Sequence, residues 1–61
     1  MVVIDSKGVQ LHNGDYVRNI NKPTDIYTIE GLLVGNFISV GEGEAIHASQ
    51  VEFISRMGMN D

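Results

Sequence analysis

The side chains able to do chemistry are few and far apart. His12 and His47 are the only histidines, 35 positions apart, and the chain has no cysteine. A zinc site draws its ligands from Cys and His at close spacing, so no metal site is expected. Both histidines are expected on polar strand faces, where an imidazole lends at most a pH-sensitive contact near neutrality. Glu42 and Glu44 flank Gly43, and Glu30 and Glu52 stand within β-prone runs. General acid–base catalysis needs two carboxyls in unlike, sheltered environments. An acidic, Gly-rich loop exposes both alike. Ser6, Ser39, Ser49 and Ser55 lie outside any Gly-x-Ser-x-Gly elbow, and no phosphate-cradling glycine pattern is present. The expectation is a protein that is not an enzyme and has no catalytic, cofactor or metal-binding residues.

Binding is the remaining class. Lys7, Arg18 and Lys22, with Tyr16, Tyr27 and Phe37, are the residue types that contact phosphates and stack on bases. The overall charge opposes that use. Four basic residues stand against eight acidic ones, for a net charge of −4. Affinity for a phosphate backbone rests largely on Lys and Arg displacing counterions. The imbalance is uneven, with residues 1–23 at +1 and residues 24–61 at −5. A nucleic-acid-associated module using Lys7, Arg18 and Lys22 is therefore the alternative reading. The leading reading is a small regulatory protein docking on a protein partner through Tyr16, Leu33, Phe37, Glu42 and Glu44. Phe37 belongs to it because strand alternation sets it on the face opposite Ile38 and Val40.

These residues need strands to position them. The chain has 61 residues, 43% hydrophobic and 20% charged, which suits one globular domain. A domain this small buries only about 60% of its unfolded surface, so a homo-oligomer is compatible with the sequence. No apolar run nears the ~20 residues that span a bilayer. Met1–Asp5 lacks the basic start and long apolar centre of a signal peptide. A cytoplasmic protein without membrane association is expected.

Val2–Ile4 is a short β-prone run, followed by a turn at Asp5–Gly8. Val9 and Leu11 alternate with Gln10 and His12 as in a half-buried strand. Asn13-Gly14-Asp15 is a turn, because Asn and Gly tolerate positive φ. A strand follows from Tyr16 to Asn21. Pro23 breaks the pattern at Lys22–Asp25, since it cannot donate to a ladder. Ile26–Val34 is the longest β-rich run, with Tyr27 and Ile29 facing inward and a bend at Gly31. Gly35-Asn36 reads as a two-residue hairpin, and Gly41–Glu44 as a flexible acidic loop. Ala45–Ala48 and Val51–Ile54 are strands, with one 3₁₀ turn at Ser49-Gln50 between them. No segment keeps a helical period. The predicted domain spans residues 1–55, and residues 56–61 are expected to fray.

Short strands at this spacing predict a small closed or nearly closed all-β barrel, because closure removes exposed edges. The pattern Gly14-Asp15-x-Val17-Arg18, then Tyr27-x-Ile29, then Ala48-Ser49-x-Val51-Glu52-x-Ile54 resembles small SH3-like barrels. KOW-type modules and many short phage and bacterial proteins share that outline. The opening Asp5-Ser6-Lys7-Gly8-Val9-x-Leu11-x-x-Gly14-Asp15-x-Val17 is similar to the start of the phage-type members. The resemblance covers residues 4–54. It implies an SH3-like barrel of about five strands with a short 3₁₀ turn before the last, and it implies no single function. The second KOW glycine is absent from Ile26-Tyr27-Thr28-Ile29. The Gly-Asp-x-Val-Arg opening is also similar to that of plasmid-borne dihydrofolate reductases. Their Val-Gln-Ile-Tyr strand has no counterpart at Gly43-Glu44-Ala45-Ile46, so that activity is not carried over.

Overall fold

The computed structural model describes residues 1–56. It contains six strands: β1 (Asp15–Asn19), β2 (Lys22–Thr28), β3 (Gly31–Leu33), β4 (Phe37–Gly41), β5 (Glu44–His47) and β6 (Val51–Arg56). A 3₁₀ turn at Ala48–Gln50 precedes β6, as expected. The strands form two three-stranded antiparallel sheets, ordered β2-β1-β6 and β3-β4-β5. The all-β class is thus correct. Neither sheet closes on itself among the described residues, so the structure is a pair of sheets around one core.

The core is Val3, Leu11, Val17, Ile29, Ile38, Ala48 and Val51, with Tyr27, Leu32, Val40, Ile46 and Phe53 packed against it. Each sheet gives its inward row and the N-terminal segment fills the space between. Two joints connect the sheets. At the first, Ile29 N–H donates to Asp15 O at 2.9 Å, and Glu30 N–H donates to Ser39 O at 2.7 Å. One residue therefore bonds to each sheet, and the chain crosses between them without leaving a backbone donor unpaired. The bend expected at Gly31 falls here, at Ile29-Glu30, and Gly31 opens β3. The second joint is the 3₁₀ turn, which buries Ala48.

Several local expectations change. Val2–Ile4 and Val9–Leu11 form no strand, only a single bridge between Ile4 and Gln10. The cause is Asp5, which is buried. Its Oδ1 accepts from the N–H groups of Lys7 and Val9, both at 2.8 Å, and its Oδ2 from Phe53 N–H at 2.7 Å. Val9 spends its donor on a carboxylate instead of a ladder, the alternation fails, and Val9 is exposed while Leu11 is buried. Pro23 does not end a strand. β2 is an edge strand, where a missing donor is tolerated, and its register jumps from Arg18↔Ile26 to Asn19↔Lys22, so Pro23–Asp25 bulge outward. Gly35-Asn36 belongs to a three-residue connection, since Leu33 pairs with Phe37. The acidic loop is a tight two-residue hairpin turn. Gly41 pairs with Glu44, and Glu42 and Gly43 take φ of 53° and 74°, the backbone of a type I′ turn.

Asp15 is fully buried and closes the Asn13-Gly14 turn by accepting from His12 N–H at 2.9 Å. Its Oδ1 also accepts from Arg56 Nε at 2.9 Å. Arg56, placed at sequence level in the fraying segment, is instead the last residue of β6. The rest of that segment lies outside the described residues.

Candidate functional site

The residues proposed for docking divide between the two sheets. Phe37 opens β4 and pairs with Leu33 on one side and His47 on the other. Cross-strand partners share a face, so these three form a row across the outer face of the second sheet. The Phe37 and His47 rings meet edge to face, with centroids 4.9 Å apart. Phe37 is 40% exposed and Leu33 39%, while Ile38 beside them is completely buried. The outward placement of Phe37 is therefore correct. Val34, in the adjoining turn, is 82% exposed and extends the apolar surface.

This row is held firmly. The Phe37 ring lies over Gly35, whose Cβ position is 3.4 Å from Phe37 Cδ2. Asn36 takes φ of 68° and ties the turn to the N-terminal segment. Its Oδ1 accepts from Ile4 N–H at 2.9 Å, and its Nδ2 donates to Ile4 O at 3.0 Å. His47 caps the 3₁₀ turn. Its Nδ1 accepts from Ser49 N–H at 3.2 Å and lies 2.8 Å from Ser49 Oγ. These contacts fix the ring plane.

Two positions along the strands lies a second row on the same face, Gly31, Ser39 and Ala45, again in register. All three are small. A Cβ on Gly31 would sit 3.9 Å from Ser39 Cβ, an ordinary contact, so the row is a shallow trough beside the Leu33–Phe37–His47 ridge. Neither row contains an Asp, Glu, Lys or Arg. Glu42 and Glu44 stand at the β4–β5 hairpin, the end of β4 opposite Val34, and the Glu30 carboxylate approaches Gly41 there. They form an acidic margin. Tyr16 stands on β1, in the other sheet, paired with Thr28 and Ser55, and is not part of this surface.

The basic residues proposed for nucleic acid are brought together only in part. Lys7 Nζ and Arg18 Nε each lie 3.4 Å from a carboxylate oxygen of Glu52. Arg18 and Glu52 are cross-strand partners on β1 and β6. The Arg18 Nε is buried and makes no well-aligned hydrogen bond there. One carboxylate is thus shared by two cations. Lys22 stands at the start of β2, opposite Asn19.

The remaining charged pair is structural. Arg56 reaches Asp15 through Nε and, at 3.3 Å, through Nη2, and its guanidinium carbon lies 5.3 Å from the centre of the Phe53 ring. The bond to Asp15 raises the Arg56 pKa above its ordinary value. His12 Nδ1 lies 4.0 Å from Asp15 Oδ2 and is half exposed. Among the described residues, no three His, Asp or Glu side chains converge as metal ligands, and no helix is long and apolar enough to cross a membrane.

Sequence reasoning missed His47 and the small-residue row, and it left Val34 out of the docking set although the run Leu32–Val34 is apolar throughout. The signal for His47 and Ala45 lay in the hairpin count, but only with the bulge at Val40 included. Gly41 pairs with Glu44, while Ser39 pairs with Ala45, a shift of one. Compared with known proteins, the chain matches no family model, no curated protein and no solved structure.

Proposed function

We propose that this chain is a small non-enzymatic binding module, an SH3-like barrel in outline, that docks on a protein partner through the outer face of its second sheet. The observation that carries the reading is the ridge Leu33–Phe37–His47. A small domain has little apolar area to spare for its core, yet two large apolar side chains are held outward here, next to an exposed valine. The turn and cap that hold the ridge reduce the ordering it would undergo on binding, which favours affinity. The barrel outline is supported by the two sheet-to-sheet joints and by the 3₁₀ turn before the last strand. A cytoplasmic setting accords with the lack of cysteine. The pairing of Lys7 and Arg18 with Glu52 weighs against the nucleic-acid alternative, since those cations are already engaged.

The test is site-directed photo-crosslinking in cells expressing the full chain. A benzophenone side chain replaces Phe37 in one sample and Thr28, exposed on the other sheet, in a second. Defined protein adducts from position 37 and none from position 28 are expected. No adducts from position 37, or the same adducts from both positions, would overturn the reading.

A further inference from the structure

We infer that Asn13 is a self-modification site guarded by the joint between the sheets. When the turn opens, Asn13 converts to aspartate or isoaspartate, with water as the co-reactant. Residue type comes first. An asparagine followed by glycine is open to attack by the glycine's backbone nitrogen, because glycine has no Cβ to shield it. The Gly14 nitrogen bonds to the Asn13 side-chain carbonyl carbon and gives up its proton. The bond from that carbon to the side-chain nitrogen breaks, and ammonia leaves with the proton. Water then opens the cyclic imide at either carbonyl.

Asn13 is the only Asn in the chain that is followed by Gly. Asn19, Asn21 and Asn36 precede Ile20, Lys22 and Phe37, and their side-chain amides are held in hydrogen bonds. Asn13 is exposed, and nothing beyond the chain neighbours lies within 4 Å of where a Gly14 Cβ would stand. Crowding therefore does not protect the site.

The backbone does. Asp15 N–H donates to His12 O at 3.1 Å and Gly14 holds φ of 90°, which places Asn13-Gly14 at the centre of a type II turn. Gly14 N–H donates to Ile29 O at 2.8 Å, and Ile29 N–H donates to Asp15 O at 2.9 Å. This reciprocal pair belongs to the joint that carries the chain from one sheet to the other. The hydrogen that must leave the Gly14 nitrogen is engaged in it. The peptide plane cannot turn toward the Asn13 side chain without breaking the pair. Buried Asp15, held by His12 N–H and Arg56, anchors the same turn. Conversion thus requires local opening, and its rate follows the fraction of time the turn is open. Isoaspartate adds a methylene to the backbone inside the turn, so that product moves the Gly14 N–H out of register with Ile29 O.

The experiment incubates the purified full chain at mildly alkaline pH, folded and in guanidinium chloride, beside an unstructured peptide of residues 10–17. Peptide mapping reads the mass gain of amide-to-acid conversion at residue 13 and separates isoaspartate from aspartate. Hydrogen exchange on the folded chain reads the protection of the Gly14 amide. The denatured chain is expected to convert at the peptide's rate. The folded chain should convert at least roughly tenfold more slowly, by the same factor that protects the Gly14 amide. Arg56→Ala should lower that protection and raise conversion of the folded chain in equal proportion. Equal rates in the folded and denatured chain overturn the inference. So does a denatured chain that stays unconverted at residue 13, or a suppression that does not follow the protection of Gly14.

Discussion

The two sheets use their polar residues in opposite ways. The first, β2-β1-β6, is tied to the N-terminal segment by two buried carboxylates, and its outer face carries the Lys7–Glu52–Arg18 ion pairs. The second, β3-β4-β5, has no buried charge among the described residues, and the two rows of its outer face carry no ion pair. A buried carboxylate is retained only where donors surround it. Asp5 and Asp15 meet that condition because the N-terminal loop and the Asn13-Gly14 turn point backbone N–H groups at them. The first sheet is thus the part of the molecule whose surface is committed to folding. The two outer rows of the second sheet take no part in such pairing.

The strongest way to break the first sheet is Asp5→Ala. It leaves the N–H groups of Lys7, Val9 and Phe53 without their acceptor. At about 1 kcal/mol or more for each orphaned donor, the loss is expected to reach about 3 kcal/mol. That is much of the stability a domain of this size holds, and chemical denaturation would measure it. Asp15 and Arg56 come next. Arg56→Ala should destabilise more than Asp15→Asn. The first leaves a fully buried carboxylate with, among the described residues, only the His12 N–H as a close donor, and the second removes the buried charge itself. An Arg56→Ala variant as stable as the parent chain would show that the guanidinium contributes nothing to Asp15. Arg56 has its pKa raised by the bond to Asp15. Its share of the stability is therefore full below its ordinary value and lost only as the pH rises through the higher folded value. No titration of Arg56 is expected near neutrality.

In the second sheet the effects on stability are smaller, and one has the opposite sign. Glu42 holds φ of 53° in the type I′ turn. Glu42→Asn supplies a residue that accepts this backbone, and a gain of roughly 0.5–1 kcal/mol in the unfolding free energy is expected. A loss would mean that the Glu42 side chain has a folding role that its position does not reveal.

How much of this was legible in the sequence follows the range of the forces involved. The all-β class, the turn at Asn13-Gly14, the 3₁₀ turn and the outward Phe37 all rest on local propensity and period-two alternation, and all were legible. The N-terminal pair of strands failed because Asp5 competes with the ladder for donors, and one of its three bonds comes from Phe53, 48 positions away. The Pro23 break failed because an edge strand tolerates what a central one does not, and sheet order is not a local property. The ridge was half legible. Phe37 was found by alternation and Leu33 by the wholly apolar run Leu32–Val34, but His47 joins them only through the bulge at Val40. Without that extra residue, Phe37 would face Ala48. A one-residue shift in register decides which side chains form the surface.

The smallest expected effect returns to the first sheet and sharpens the contrast between the two faces. Glu52 meets both Lys7 and Arg18, whose side chains are 69% and 40% exposed. Exposed pairs of this kind contribute roughly 0.2–1 kcal/mol, and salt screens them. A double-mutant cycle with Arg18→Gln and Glu52→Gln should therefore give a coupling energy of roughly 0.5 kcal/mol that shrinks at high salt. The cycle isolates the pair from whatever else each side chain touches. A coupling near zero would mean that the contact does not hold the Arg18 cation, which would return Arg18 to the set available for phosphates. The coupling energy thus bears on function as well as stability, because it measures how far the first sheet's outer face is closed to a charged partner.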